Sequence, residues 1–312
     1  MQTAVNIQGK SDEEDPFDFA GKRWCRKISD CIPAYAISAK KSYNVIAIDT
    51  DPVNSTLHGY RKLNVQLLGL WSDLTIDSGK FDEITATIDK ADDNTHIIID
   101  NGASGFVPFL GYLLENETVD YWKNIGIDVI FHTIVTGGQA FNDTINGLGA
   151  LGENFKKEKI IIWKNRYFGE IERNGVSLEE FPIYKSLRDN KSIQAVLNIP
   201  VKSEGTFGKD LKELFSRHQT FAEADLDNTL SLMTRQRLRI WWRDMCIILN
   251  EASDIFTAGT TQSDIKQQSL ITDINHQQEQ ETSNESDERI FKNRKERRKY
   301  FREMARKNNN NA

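Results

Sequence analysis

Three aspartates end apolar runs, and they are the residues of this sequence best placed to do chemistry. Asp49 and Asp51 close YNVIAIDTD (43–51), and Asp100 ends the run in HIIIDNGA (96–103), with Asn101, Gly102 and Gly105 directly after it. A buried strand that stops at a carboxylate fixes that group at the rim of a sheet, where it can orient Mg²⁺ or its waters beside a phosphate. The same pattern suits a helix N-cap or a turn, in which a short acid accepts backbone N–H bonds. A strand-end acid can also hold the ribose of a dinucleotide, as in a dehydrogenase. That alternative needs GxGxxG after the first strand, and the sequence has none. Gly137-Gly138 in IVTGGQAFND (134–143) stands at the wrong strand and suits a tight strand-to-helix turn.

The elements that must position these acids are legible as apolar runs of strand length. They are YNVIAIDTD (43–51), HIIIDNGA (96–103), IDVIFHTIV (127–135), KIIIWKN (159–165) and IQAVLNIP (193–200). Each is rich in Ile and Val, nearly continuous rather than alternating, and separated from the next by room for a helix. That is the pattern of strands buried on both faces, so the expected class is α/β, a doubly wound and mainly parallel sheet flanked by helices. In such sheets ligands bind at the carboxyl ends of the strands, where the three aspartates fall. LSLMTRQRLRIWWRDMCIILN (230–250) is expected to close the domain as an amphipathic helix, with Leu232, Gln236, Ile240 and Arg243 at helical spacing beside Leu238, Trp242 and Met245.

With 312 residues, 38% of them apolar, the chain is long enough for one large domain with tails. No run of about 18 apolar residues suggests a membrane span. The N-terminus MQTAVNIQGKSDEED lacks the features of a signal peptide, which makes the cytoplasm the expected location. Cys25, Cys31 and Cys246 form no CxxC pair, so neither a disulfide framework nor a zinc site is indicated. After about Thr257 the composition turns to Gln, Ser, Thr and acids, the signature of a disordered linker (257–288). The segment 289–312 follows. Within residues 289–307 it carries Arg289, Lys292, Arg294, Lys295, Arg297, Arg298, Lys299, Arg302, Arg306 and Lys307 against Glu296 and Glu303. Those ten cations and two acids give the tail +8, so the rest of a chain of net charge −6 sums to −14. Ile290, Phe291, Tyr300, Phe301 and Met304 interleave the charges, which favours nonspecific binding to DNA, with an anionic membrane surface as competitor and a solvated charged end as the plain alternative.

Six segments, in order through residues 42–256, carry a family resemblance. IAIDTDPVN (46–54) with HGYRKLNV (58–65), IIDNGASGFVPFLGYLL (98–114), HTIVTGGQAFNDTINGL (132–148), WKNRYFGEIERNG (163–175), TFGKDL (206–211) and LSLMTRQRLRI (230–240) resemble conjugative-transfer members of the ParA/MinD branch of deviant-Walker P-loop ATPases. The resemblance implies ATP and Mg²⁺ as cofactors, a homodimer, and work alongside the conjugative transfer machinery. It implies that Asp51 is the carboxylate that positions the attacking water, with Asp49 assisting catalysis and supporting Mg²⁺ through water. Asp100 takes the Walker B position, toward both nucleotide and metal, and Asn165 the place of an adenine-reading side chain.

The family should open with a strand, a KGGxGKS loop and a helix, and residues 12–41 show none of these. Gly21-Lys22 makes Lys22 the nearest candidate for a phosphate lysine, yet this pair, like Gly9-Lys10-Ser11, is too short for the series of backbone N–H groups that cradles phosphates. Trp24 has the single codon TGG, so a frame one nucleotide later begins its next codon with GG, which encodes glycine. Residues Arg23, Trp24, Cys25, Arg26, Lys27 and Ile28 can in this way conceal GGVGKS, within a shifted string that also holds a strand and a helix. Residues 1–41 are therefore expected to be an aberrant, frame-disrupted segment ahead of an ATPase domain at 42–256. Two functional readings follow: an ATPase of conjugative DNA transfer impaired as written, or a nucleotide-independent binding module that contacts transfer proteins or DNA.

Overall fold

The structure, a computed structural model, describes residues 2–7, 44–51, 53–72, 75–93 and 95–252. Lys22, the linker 257–288 and the basic tail 289–312 lie outside the described residues. Among the described residues, seven strands make one parallel sheet: β1 (Gln2–Ile7), β2 (Asn44–Asp49), β3 (Gln66–Leu67), β4 (Thr95–Asn101), β5 (Asp128–Thr136), β6 (Lys159–Asn165) and β7 (Ile193–Asn198). Their order is β7-β6-β5-β1-β4-β2-β3, so β1 lies at the centre and is the strand that joins β4 to β5. Five of these strands fall on the five apolar runs. β1 and β3 are additions: QTAVNI mixes polar with apolar residues, and Gln66–Leu67 is too short to mark a run.

Side-chain alternation divides the sheet's core in two. Ile97, Ile99, Phe131, Ile160 and Ile162 face one layer, built from α1 (Asp82–Lys90), α2 (Ala103–Glu115), α3 (Thr118–Asn124), α4 (Phe141–Asn154) and α5 (Pro182–Asp189). Ile98, Ile130, Ile134, Ile161 and Trp163 face the other, built from α6 (Lys209–Ser216), α7 (Phe221–Leu226) and α8 (Leu232–Glu251). Consecutive isoleucines in one strand are thus each buried against a different helical layer, which is why the runs are continuous. Each such side chain contributes about 1.5–3 kcal/mol of burial.

The closing helix forms where expected, capped by Ser231, whose hydroxyl accepts the Thr234 N–H. Its buried stripe is Leu238, Trp241, Met245 and Leu249, whereas Leu232 is 71% exposed. Of the expected residues, Leu238 and Met245 are buried and Trp242 packs against the core, while Leu232 lies in the exposed first turn. Among the described residues, no helix is long and apolar enough to cross a membrane.

Candidate functional site

Three neighbouring strands end together. In the register, Asp49 on β2 stands opposite Asp100 on β4, while Asn6 and Ile7 on β1 stand opposite Asp100 and Asn101. The Asp49–Asp51 segment, the β4–α2 turn and the carboxyl end of β1 therefore meet at one edge of the sheet, at the spacing of adjacent strands, about 4.8 Å each.

The two acids of the DTD segment do different work. Asp49 is fully buried, and its Oδ1 accepts the Asp51 N–H at 3.0 Å while its Oδ2 accepts the His58 N–H at 2.9 Å. It ties the loop that follows β2 to the strand end. Burial pushes its carboxyl up to about 6, against the pull of the two N–H bonds, and the nearby Asp51 charge adds to the push. Asp51 is also buried, and its Oδ1 accepts the N–H groups of Val53 and Asn54 at 3.0 Å and the Ser104 hydroxyl at 3.3 Å.

Gly102 is the N-cap of α2 and has no side chain with which to cap it. A Cβ placed there would meet the Asp51 carboxylate at 2.1 Å, so glycine at this position is what lets the acid sit against the start of the helix. An anion there is favoured by the helix dipole and by first-turn N–H groups that lack partners within the helix.

Thr50, between the two acids, fastens them to β4: its N–H and hydroxyl both donate to the Asp100 carbonyl, at 2.8 and 2.9 Å, and the hydroxyl also contacts Asn101 Oδ1 at 3.1 Å. Asn101 is completely buried, and its Nδ2 has no hydrogen-bond partner among the described residues. Gly105 packs against its amide oxygen. Thr50 and Ser104 were not singled out for chemistry by sequence reasoning. The one signal available was their position beside the acids.

Asn165 ends β6, separated from the aspartates by β5 and β1. It is buried, its Oδ1 accepts the Tyr167 N–H at 3.1 Å, and its carbonyl accepts the Gly137 N–H at 3.1 Å. The Gly137-Gly138 turn is as tight as expected: a Cβ on Gly137 would meet the Gly169 carbonyl at 2.1 Å, and Gly138 has φ +73°. The structure thus brings Asp49, Asp51 and Asp100 together and sets Asn165 further along the same rim.

Among the described residues, no group of three or more His, Cys, Asp and Glu side chains could hold a metal ion unaided. Mg²⁺ does not need one, because it keeps several waters and takes one or two carboxylates plus phosphate oxygens. The acids here fit that donor set. The first turn of α2 already holds the Asp51 carboxylate.

No protein-family model matches the chain. Two curated relatives, each Protein TraL of Escherichia coli, are similar to it. One is 39% identical over 203 residues, covering 65% of this chain and 83% of the relative, and the other is 38% identical over 215 residues, covering 68% and 87%. Among solved structures, the MinC:MinD cell division protein complex of Aquifex aeolicus is similar at 14% identity, covering 78% of this chain and 96% of that one, with a TM-score of 0.39.

Proposed function

The chain belongs to the TraL family, and from that premise we propose that it serves conjugative DNA transfer as a ParA/MinD-type Mg²⁺–ATP-binding protein whose phosphate loop is disrupted as written. The observation that carries this reading is the convergence of Asp49, Asp51 and Asp100 at the carboxyl end of the central strand β1. A phosphate-binding segment in this arrangement has to leave β1, and Gly9-Lys10-Ser11 begins two residues after Ile7. Lys10 and Lys22 are accordingly the lysines to test against phosphate.

Asp100 and Asp49 would hold Mg²⁺, Asp49 through water, and Asp51 would orient a water for attack on phosphate. Asn165 would face the adenine. The metal would supply charge stabilisation at the phosphate oxygens. The chain's own residues supply position: Asp49 fixes the backbone of Asp51 and His58, Thr50 locks that segment to β4, and Gly102 admits the carboxylate of Asp51. A homodimer, a cytoplasmic location, an ATPase domain at 42–256, an aberrant segment at 1–41 and DNA contact by the tail belong to the same reading.

The second reading, a nucleotide-independent binding module, is favoured by residues 12–41, which contain no phosphate loop. Calorimetry separates the two. The chain as written should bind Mg²⁺–ATP weakly or not at all, and a version with GKGGVGKS restored should bind and slowly hydrolyse it, with hydrolysis lost on Asp51→Ala. Tight binding by the chain as written would refute the loss of the loop. Full activity in the restored Asp51→Ala protein would refute the site. Sequencing codons 10–45 of the gene reveals directly whether the motif lies in the neighbouring frame.

A further inference from the structure

Away from the strand ends, a cavity of about 410 Å³ opens between α1, α2 and α3. One wall is a single face of α1, carrying Asp82, Thr85, Ala86 and Asp89 at positions i, i+3, i+4 and i+7. The other walls come from the end of α2 and the start of α3, with Tyr112, Asn116, Thr118 and Tyr121. Among the described residues no lysine or arginine lines it. Asp82 accepts the Tyr112 hydroxyl at 2.7 Å, and the Tyr121 side chain is 46% exposed. Burial and the hydrogen bond to Asp82 push the Tyr112 hydroxyl up to about 12, so it stays a neutral donor.

Two carboxylates seven residues apart on a helix stand about 10.5 Å apart along its axis, with aromatic rings facing them. Such an arrangement suits cations carried on one chain, whose stems or charges pack on the rings beside the acids. The exposed acids Glu115, Glu117 and Asp120 flank the cavity-lining residues in sequence and add to the negative field.

We infer that this cavity docks the basic segment 289–307 of the same chain. Charge complementarity is the first support. That segment carries ten cations on a chain whose remainder sums to −14. Reach is the second. Described structure ends at Ala252, and residues 253–288 form a polar connection with a contour of roughly 120 Å, enough to pass from α8 around the sheet to the opposite layer. Nothing in this inference depends on nucleotide binding.

Zero-length carbodiimide coupling on the full chain tests it. At about 50 mM salt, Lys292, Lys295, Lys299 or Lys307 should couple to Asp82 or Asp89. In a mixture of heavy-isotope and light chains, the coupled peptides should stay unmixed. Near 1 M salt, where the screening length falls to about 3 Å, the yield should collapse. Tyr121→Ser keeps both carboxylates and should lower the yield about two- to fivefold, the size of one exposed cation–π contact, with circular dichroism confirming the fold. Coupling spread evenly over exposed acids, coupling between copies, or a yield unchanged in Tyr121→Ser would each overturn the inference.

Discussion

His132 and Asp49 set opposite pH dependences on stability, and replacing the histidine should uncover the aspartate. His132 lies wholly buried in β5, its Nδ1 accepting the Trp163 indole N–H at 3.0 Å, and burial pushes its imidazolium down to about 3 from 6.5. The unfolded chain takes up this proton below pH 6.5 while the folded protein refuses it until about pH 3. The histidine's contribution is therefore fully present above pH 6.5 and drains away as pH falls, at about 1.4 kcal/mol per pH unit. Asp49 runs the other way. Its folded carboxyl titrates at about 6 instead of 3.8, so its contribution is fully present below pH 3.8 and is lost as pH rises through 6. Between pH 4 and 6 the two slopes largely cancel.

The change His132→Asn keeps an acceptor for Trp163 and removes the titrating ring. Urea unfolding of both proteins, followed by circular dichroism at intervals from pH 4 to 8, gives the difference in stability at each pH. Groups common to both drop out, as does any constant cost of repacking. The stability of the unaltered chain relative to the variant should be level above pH 7 and fall by about 3 kcal/mol from pH 6 to pH 4. A difference that stays constant across the whole range would refute the reasoning, because it would mean that the buried imidazole titrates alike in both states.

Gly102→Ala should drive the Asp51 carboxylate off the start of α2 and cost about 1–3 kcal/mol, read as a lower urea midpoint with an unchanged slope. Leu249→Ala, at a fully buried position of the α8 stripe, should cost about 2–5 kcal/mol in the same assay, whereas Leu232→Ala on the exposed first turn should stay within about 0.5 kcal/mol. If the tail neutralises duplex phosphates, fluorescence anisotropy should show DNA affinity falling by about 0.9 log units per log unit of salt for each phosphate contacted. Affinity that survives deletion of residues 257–312 would place the binding elsewhere.

Most of the sheet was legible because its strands are buried on both faces, which forces continuous Ile and Val and leaves little else those runs could be. The acids were legible for the same reason, since a carboxylate that interrupts such a run stands out. What distinguishes Asp49 from Asp51 was not legible. Both read as strand-end acids, and their roles separate only when His58 and Ser104, 9 and 53 residues away, arrive as partners. Two-stranded ribbons such as Glu172–Arg173 with Val176–Ser177 are too short to carry a period. On α8, Leu238 and Met245 were legible as core residues, whereas the exposure of Leu232 was not, because packing on α6 and α7 selects the stripe from Leu238 to Leu249.

The place of β1 bears on how this chain folds. Its six residues pair with β4 and β5, whose strands begin at Thr95 and Asp128, so the sheet cannot close until a loop of roughly ninety residues has been brought round on one side and a longer one on the other. Without β1 the sheet divides into two parallel three-stranded pieces, β4-β2-β3 and β5-β6-β7. Each presents an unpaired inner edge, HIIID on one and VIFHTIV on the other, of the apolar and β-branched kind that pairs with other chains. Pairing of β1 covers both edges at once, so a lesion that weakens this strand should be felt first as aggregation of newly made chains.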